Sequence, residues 1–189
     1  PPLETLFPYT TLFRSQKKMP LVAAMLKYKK EQVYPFHTPG HKGGRGMEPL
    51  LAGELGAGAL QMDVSLMAEL DDIHCPEGCI AAAQTLAAQL YGSDRCFFAV
   101  NGTTQAIQAM LMTAVKPGGK VLIPRNAHRS VAGGLLLGDL EPVYVLPQFN
   151  AVFGINTQVT AGQVEEALQK DPSIKAVFLT SPNYYGQAA

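Results

Sequence analysis

Cysteine is scarce in this chain of 189 residues, which has three. A small, odd number fits a reducing compartment better than a disulfide framework, so the expected location is cytoplasmic. Net charge is also missing. Lys plus Arg and Asp plus Glu number 15 each, and neither sign gathers into a stripe or a tail. That argues against nucleic acid as a partner. No apolar run approaches the ~20 residues needed to cross a bilayer, so no membrane partner is expected. No charged, then apolar, then small-residue series marks a signal peptide. Internal repeats and low-complexity tracts are absent as well. What remains is a chain of 47% hydrophobic content, long enough to bury one sizeable core.

The two ends read differently from the middle. Residues 1–15, PPLETLFPYTTLFRS, have neither helical nor alternating period, and TTLFRS resembles translated sequencing-adapter sequence. Residues 1–19 are therefore expected to be a non-native or disordered leader, set aside from the fold. At the other end, residues 175–180 (KAVFLT) read as a strand shortly before the last residue. The expectation is the front piece of a longer enzyme.

Between the ends, strands alternate with helices. Residues 20–30 are a short amphipathic helix, and 33–46 (VYPFHTPGHKGGRG) a loop rich in Gly, Pro and His. Residues 50–59 are weakly helical, and 63–75 form an acidic connection. Pro76 can open a helix that runs from Glu77 to Tyr91, with Gly92 as its stop. Residues 96–100 are an apolar run fit for a buried strand, followed by a helix over 104–115 and a strand over 120–124. A Gly-containing helix over 130–137, a strand over 141–146 and a loop over 148–159 come next. Thr160 and Gln163 make a capping-box pattern opening a helix over 161–170. This order predicts an α/β fold with a mostly parallel sheet.

The most informative stretch is residues 96–130, CFFAVNGTTQAIQAMLMTAVKPGGKVLIPRNAHRS. Asn101-Gly102-Thr103-Thr104 stands where a strand ends and a helix begins. Backbone N–H groups point outward there, and the helix dipole favours an anion. The bland alternative is an ordinary N-cap. The next strand carries Arg125-Asn126-Ala127-His128 to the same edge, where open parallel sheets bind ligands. His37, His41 and Lys42 lie on a loop whose Pro39 and Gly40 forbid a helical His pair, which argues against zinc. His74, Cys75 and Cys79 lack a second ligand pair, so no metal is expected there either. Glu69, Asp71 and Asp72 read as a solvated acidic surface.

The ordered set FHTPGHKGG, DVS…ELDDIHCPEG, AAQLYGSDRCFFAVNGTTQAIQAM, GGKVLIPRNAHRS and TSPNYYG, from Pro20 to Gly186, resembles the bacterial Orn/Lys/Arg decarboxylase family. That resemblance implies the aspartate-aminotransferase fold: a three-layer large domain, here incomplete, with pyridoxal 5′-phosphate (PLP) as cofactor. It implies an N-terminal helix and active-site loop segment over 20–75 and a partial PLP-binding domain over 76–189. Gly102, Thr103 and Thr104 would hold the phosphate, and His128 would stack on the pyridine ring as a catalytic group. Asn183 would approach the cofactor from the next strand end. His37, His41 and Lys42 would line the active-site mouth or a dimer interface. The implied reaction is decarboxylation of arginine, lysine or ornithine to a polyamine precursor, by a homodimer or higher homo-oligomer. The family's Schiff-base lysine and the aspartate that pairs with the ring nitrogen match nothing in this chain, so these 189 residues alone are expected to be inactive. The alternatives are another PLP enzyme of this fold (an aminotransferase or a lyase), a catalytically dead regulatory paralogue, and a nucleotide-binding α/β domain.

Overall fold

The computed structural model describes residues 17–188. The expected leader over 1–19 therefore lies almost wholly outside the described residues. The chain divides into two compact units after Phe98. The sequence-based boundary at 75/76 differs from this division. It would give the helix ending at Tyr91 to the second unit, whereas that helix packs within the first. Among the described residues no helix is long and apolar enough to cross a membrane.

The first unit is helical. Helix α1 (Pro20–Glu31) starts on a proline, whose missing N–H costs nothing at that position, and ends with Gln32 in the left-handed region. Helices α2 (Pro49–Leu55) and α3 (Ala57–Leu60) are broken apart at Gly56. Helix α4 (Cys79–Tyr91) packs on α1. It begins later than Pro76, because Gly78 is its N-cap and residues 76–78 are held outside the helix. Gly92 closes it in the left-handed conformation, donating to the Ala88 carbonyl. Among the described residues of this unit, Tyr28, Leu60, Leu70, Ile80 and Ala88 are the buried hydrophobic side chains.

The second unit has three layers. Helix α5 (Gly102–Ala114) leads to β1 (Lys120–Pro124), α6 (Arg129–Gly138) and β2 (Glu141–Val145). A small antiparallel hairpin follows, β3 (Phe149–Asn150) with β4 (Ile155–Asn156). Then come α7 (Ala161–Lys170) and β5 (Ile174–Val177). The main sheet has the order β2-β1-β5 and is wholly parallel. Side chains alternate across β1, as a strand buried on both faces requires. Val121 and Ile123 join Leu111, Val115, Val131, Leu135 and Leu140 under α5 and α6. Leu122 joins Val145, Val159 and Ile174 under α7. An irregularity in the β1–β5 register, where Lys120 faces Ile174 but Val121 faces Ala176, puts Ile174 and Ala176 in opposite layers.

Two expectations fail. Residues 96–100 form no ladder, and Phe97 and Val100 are 77% and 76% exposed. A strand needs a paired neighbour, and none of β1, β2 and β5 pairs with this stretch. The loop expected over 148–159 contains the β3–β4 hairpin.

Candidate functional site

The start of α5 is open. Its N-cap, Asn101, makes no side-chain cap, and no acidic residue stands in the first turn. The Asn101 N–H is taken by Gln105 Oε1 at 3.1 Å. The N–H groups of the first turn lack intrahelical acceptors in any α-helix. Gly102 takes φ +75°, a left-handed conformation that suits glycine, and nothing lies within 4 Å of where its Cβ would stand. Thr103 and Thr104 are exposed. Uncapped N–H groups, two hydroxyls, no carboxylate and clear space form a donor set that fits a phosphate such as that of PLP.

His128 is itself the N-cap of α6, one step earlier than the helix expected from sequence. Its Nδ1 accepts the Ser130 N–H at 3.2 Å and lies 2.8 Å from Ser130 Oγ. Helices α5 and α6 pack side by side and run the same way. A Cβ on Gly134 would meet Leu111, and one on Gly138 would meet Met112, so contacts advance together along both helices. Gly102 lies six residues before Gln108, and His128 five before Gly133, whose Cβ would meet Gln108. At 1.5 Å per residue both helix starts stand roughly 8–9 Å from that shared contact, at the same end. Packed helix axes are about 8–10 Å apart. The structure thus brings Gly102, Thr103, Thr104 and His128 to one edge, at the carboxyl end of β1.

The residues of the 37–44 loop belong to the first unit and are tied down within it. His37 Nε2 meets the Tyr28 hydroxyl at 2.6 Å. Lys42 Nζ donates to the His37 carbonyl, and Lys42 itself has φ +50°. His41 pairs with Asp63 through Nε2 at 3.0 Å and accepts the Gly44 N–H at Nδ1. The two histidines therefore have separate partners. A cleft of about 460 Å³ opens beside this loop, lined by Tyr28, His37, Lys42, Arg45 and Asp63 among others. Asn183, after β5, spends its side chain on its own turn: Oδ1 accepts the N–H groups of Tyr185 and Gln187 at 3.0 Å each.

Asp71 is more than surface charge. It adopts φ +69°, and its carboxylate accepts the N–H groups of Asp72, Glu77, Gly78, Ile80 and Ala81 at 2.8–3.3 Å. Those bonds, the one from Glu77 foremost, hold the carboxyl well below the usual carboxylate range. Asp71 is thus the remote cap that α4 lacks locally. The available signal was a helix start at Gly78 with no capping side chain of its own. Burial, with the Asp71 charge nearby, pushes the Cys79 thiol up, and its Sγ donates to the Leu70 carbonyl at 3.3 Å.

The second unit therefore defines a class: a parallel three-layer α/β domain with an anion-ready helix start and an imidazole on one sheet edge. The chain belongs to the Orn/Lys/Arg decarboxylase family, whose major-domain model matches residues 19–189. It is 38% identical over 174 residues to the arginine decarboxylase of Halalkalibacterium halodurans, covering 92% of this chain and 35% of that protein. It is 30% identical to the lysine decarboxylase of Hafnia alvei, covering 82% of this chain and 22% of that protein. Among solved structures, the constitutive lysine decarboxylase of E. coli superposes with a TM-score of 0.74 at 28% identity, over 94% of this chain and 27% of that one. The Francisella novicida lysine decarboxylase gives 0.75 at 26% identity, over 96% and 27%. The chain spans about a third of the length of the curated arginine decarboxylases it matches.

Proposed function

We propose that this chain is the part of a PLP-dependent decarboxylase that holds the cofactor phosphate and faces the cofactor ring. The substrate is a basic amino acid (arginine, lysine or ornithine), and the product is a polyamine precursor. The observation that carries this reading is the uncapped start of α5, with Thr103 and Thr104, at the same sheet edge as His128. The N–H groups and hydroxyls of residues 102–104 bind the phosphate dianion by charge-assisted hydrogen bonds and the helix dipole. His128 presents its ring toward the same edge and restricts the cofactor to one orientation. Asn183 shapes the loop after β5, and His37, His41 and Lys42 lie on a loop that serves the substrate or a subunit interface. When bound, PLP supplies the electron sink for the electron pair left behind as CO₂ departs. The three cysteines are free, in keeping with a cytoplasmic enzyme, and the working form is a homodimer or larger.

The test uses the full polypeptide that carries this sequence. Thr103→Ala with Thr104→Ala removes two hydrogen bonds to a charged group, each worth about 1.5–3 kcal/mol, so PLP affinity should fall by roughly two orders of magnitude or more. Titration followed by the visible absorbance of bound cofactor measures it. Unchanged affinity refutes the phosphate assignment. CO₂ release from arginine, lysine and ornithine then identifies the substrate.

A further inference from the structure

We infer that Ser130 is a positioning residue that fixes the imidazole of His128, an inference that rests on the reading of His128 given above. Ser130 is 2% exposed and is the one buried polar side chain among the described residues. It stands just inside the start of α6, one residue beyond Arg129, where a helix asks for no hydroxyl. Alanine there would bury no polar group. A buried hydroxyl needs a partner, and the partner of Ser130 Oγ is His128 Nδ1 at 2.8 Å.

The chemistry of the pair follows. The backbone N–H of Ser130 donates to Nδ1 at 3.2 Å, so Nδ1 is an acceptor and the ring proton sits on Nε2. The hydroxyl, 2.8 Å away, donates to the same nitrogen and shares its lone pair with that N–H. Both side-chain torsions of His128 are thereby set, while the Val131 N–H holds the His128 carbonyl at 2.9 Å. The ring stays exposed, with its hydrogen-bonded edge turned into the protein. A flat group held this way meets a planar ligand without first losing rotational freedom.

The test compares Ser130→Ala, His128→Ala and the double variant in the full chain. The first readout needs no cofactor: carbethoxylation by diethyl pyrocarbonate, which attacks unprotonated imidazole nitrogen and is mapped to single histidines by mass spectrometry. Ser130→Ala should remove one of the two donors on Nδ1 and speed His128 modification about fivefold, the equivalent of one ordinary hydrogen bond. His41, held in the other unit by Asp63, should react at an unchanged rate. The second readout is PLP affinity. Ser130→Ala should weaken it about fivefold, with no further loss when His128 is already alanine. Should alanine also alter His41, Ser130→Cys keeps the side-chain shape with a slightly larger atom, weakens the hydrogen bond and carries the same expectations. An unchanged His128 rate, or an equal loss of PLP affinity in the His128→Ala background, overturns the inference. If His128→Ala leaves PLP binding intact, the cofactor reading of His128 fails instead, while the modification rate still decides whether Ser130 governs the ring.

Discussion

Alanine at Gly133 and alanine at Gly134, neighbours on α6, should change stability in opposite directions. Either substitution gains roughly 1 kcal/mol of helix propensity. At Gly134 the new Cβ would lie 2.6 Å from Leu111 Cδ1 and 3.4 Å from the Gln108 Cα. Leu111 is 4% exposed and wedged among Val115, Val121, Ile123, Val131, Leu135 and Leu140, so it has nowhere to retreat. Overpacking of this kind costs about 2 kcal/mol, leaving a net loss of about 1 kcal/mol. At Gly133 the tight neighbour is Gln108 Nε2 at 2.8 Å, and the next atom is 3.9 Å away. That amide ends a flexible side chain and can swing aside, so the propensity gain survives. For a chain of this size 1 kcal/mol moves the melting temperature by about 2–4 °C. Thermal denaturation followed by circular dichroism should place Gly133→Ala above the parent and Gly134→Ala below it. Leu111→Val makes room, so Gly134→Ala should cost less in that background. The two helices also carry Thr103 and His128, so Gly134→Ala should weaken PLP binding where Gly133→Ala does not. A Gly134→Ala protein as stable as Gly133→Ala would refute the close-packing argument.

Asp71→Asn keeps the shape and tolerates the positive φ but removes the charge that five N–H groups share, so it should lower the melting temperature at neutral pH. The folded carboxyl sits below its unfolded value. Its contribution is therefore complete above about pH 4 and is lost as pH falls toward the folded value, so an acid titration should show wild type and variant converging only there. A constant gap down to strong acid would count against the remote cap. Thr160→Ala breaks the capping box with Gln163 and should cost about 1 kcal/mol in urea denaturation, with Thr160→Ser close to neutral.

What could be read from sequence was what local chemistry decides. The Thr160–Gln163 box and the helix it opens appear where expected, as do β1 and the left-handed stop at Gly92. The helix that carries Thr103 and Thr104 in its first turn was also legible, because its apolar residues recur at helical spacing. What was hidden is non-local. The run over 96–100 has strand composition, yet composition does not supply the partner strand that pairing needs. Asp71 reads as surface charge because the N–H groups it accepts come from six or more residues along the chain as well as its neighbour. The Ser130 hydroxyl reads as one more polar residue near a helix start until the ring of His128 is seen against it. The β3–β4 hairpin pairs two residues a side, too few for any period to register.

The parallel sheet also has an order of assembly written into it. Lys120 faces Glu141 on one side and Ile174 on the other. The first pairing closes a stretch of about 20 residues and the second one of more than 50, and closure entropy grows with that length. On a ribosome, β1, α6 and β2 can therefore dock while α7 and β5 are still being made. During that interval the side of β1 carrying Leu122, fully buried in the finished unit, faces water. It is the surface a nascent-chain chaperone would meet, and it stays open until α7 arrives to cover it.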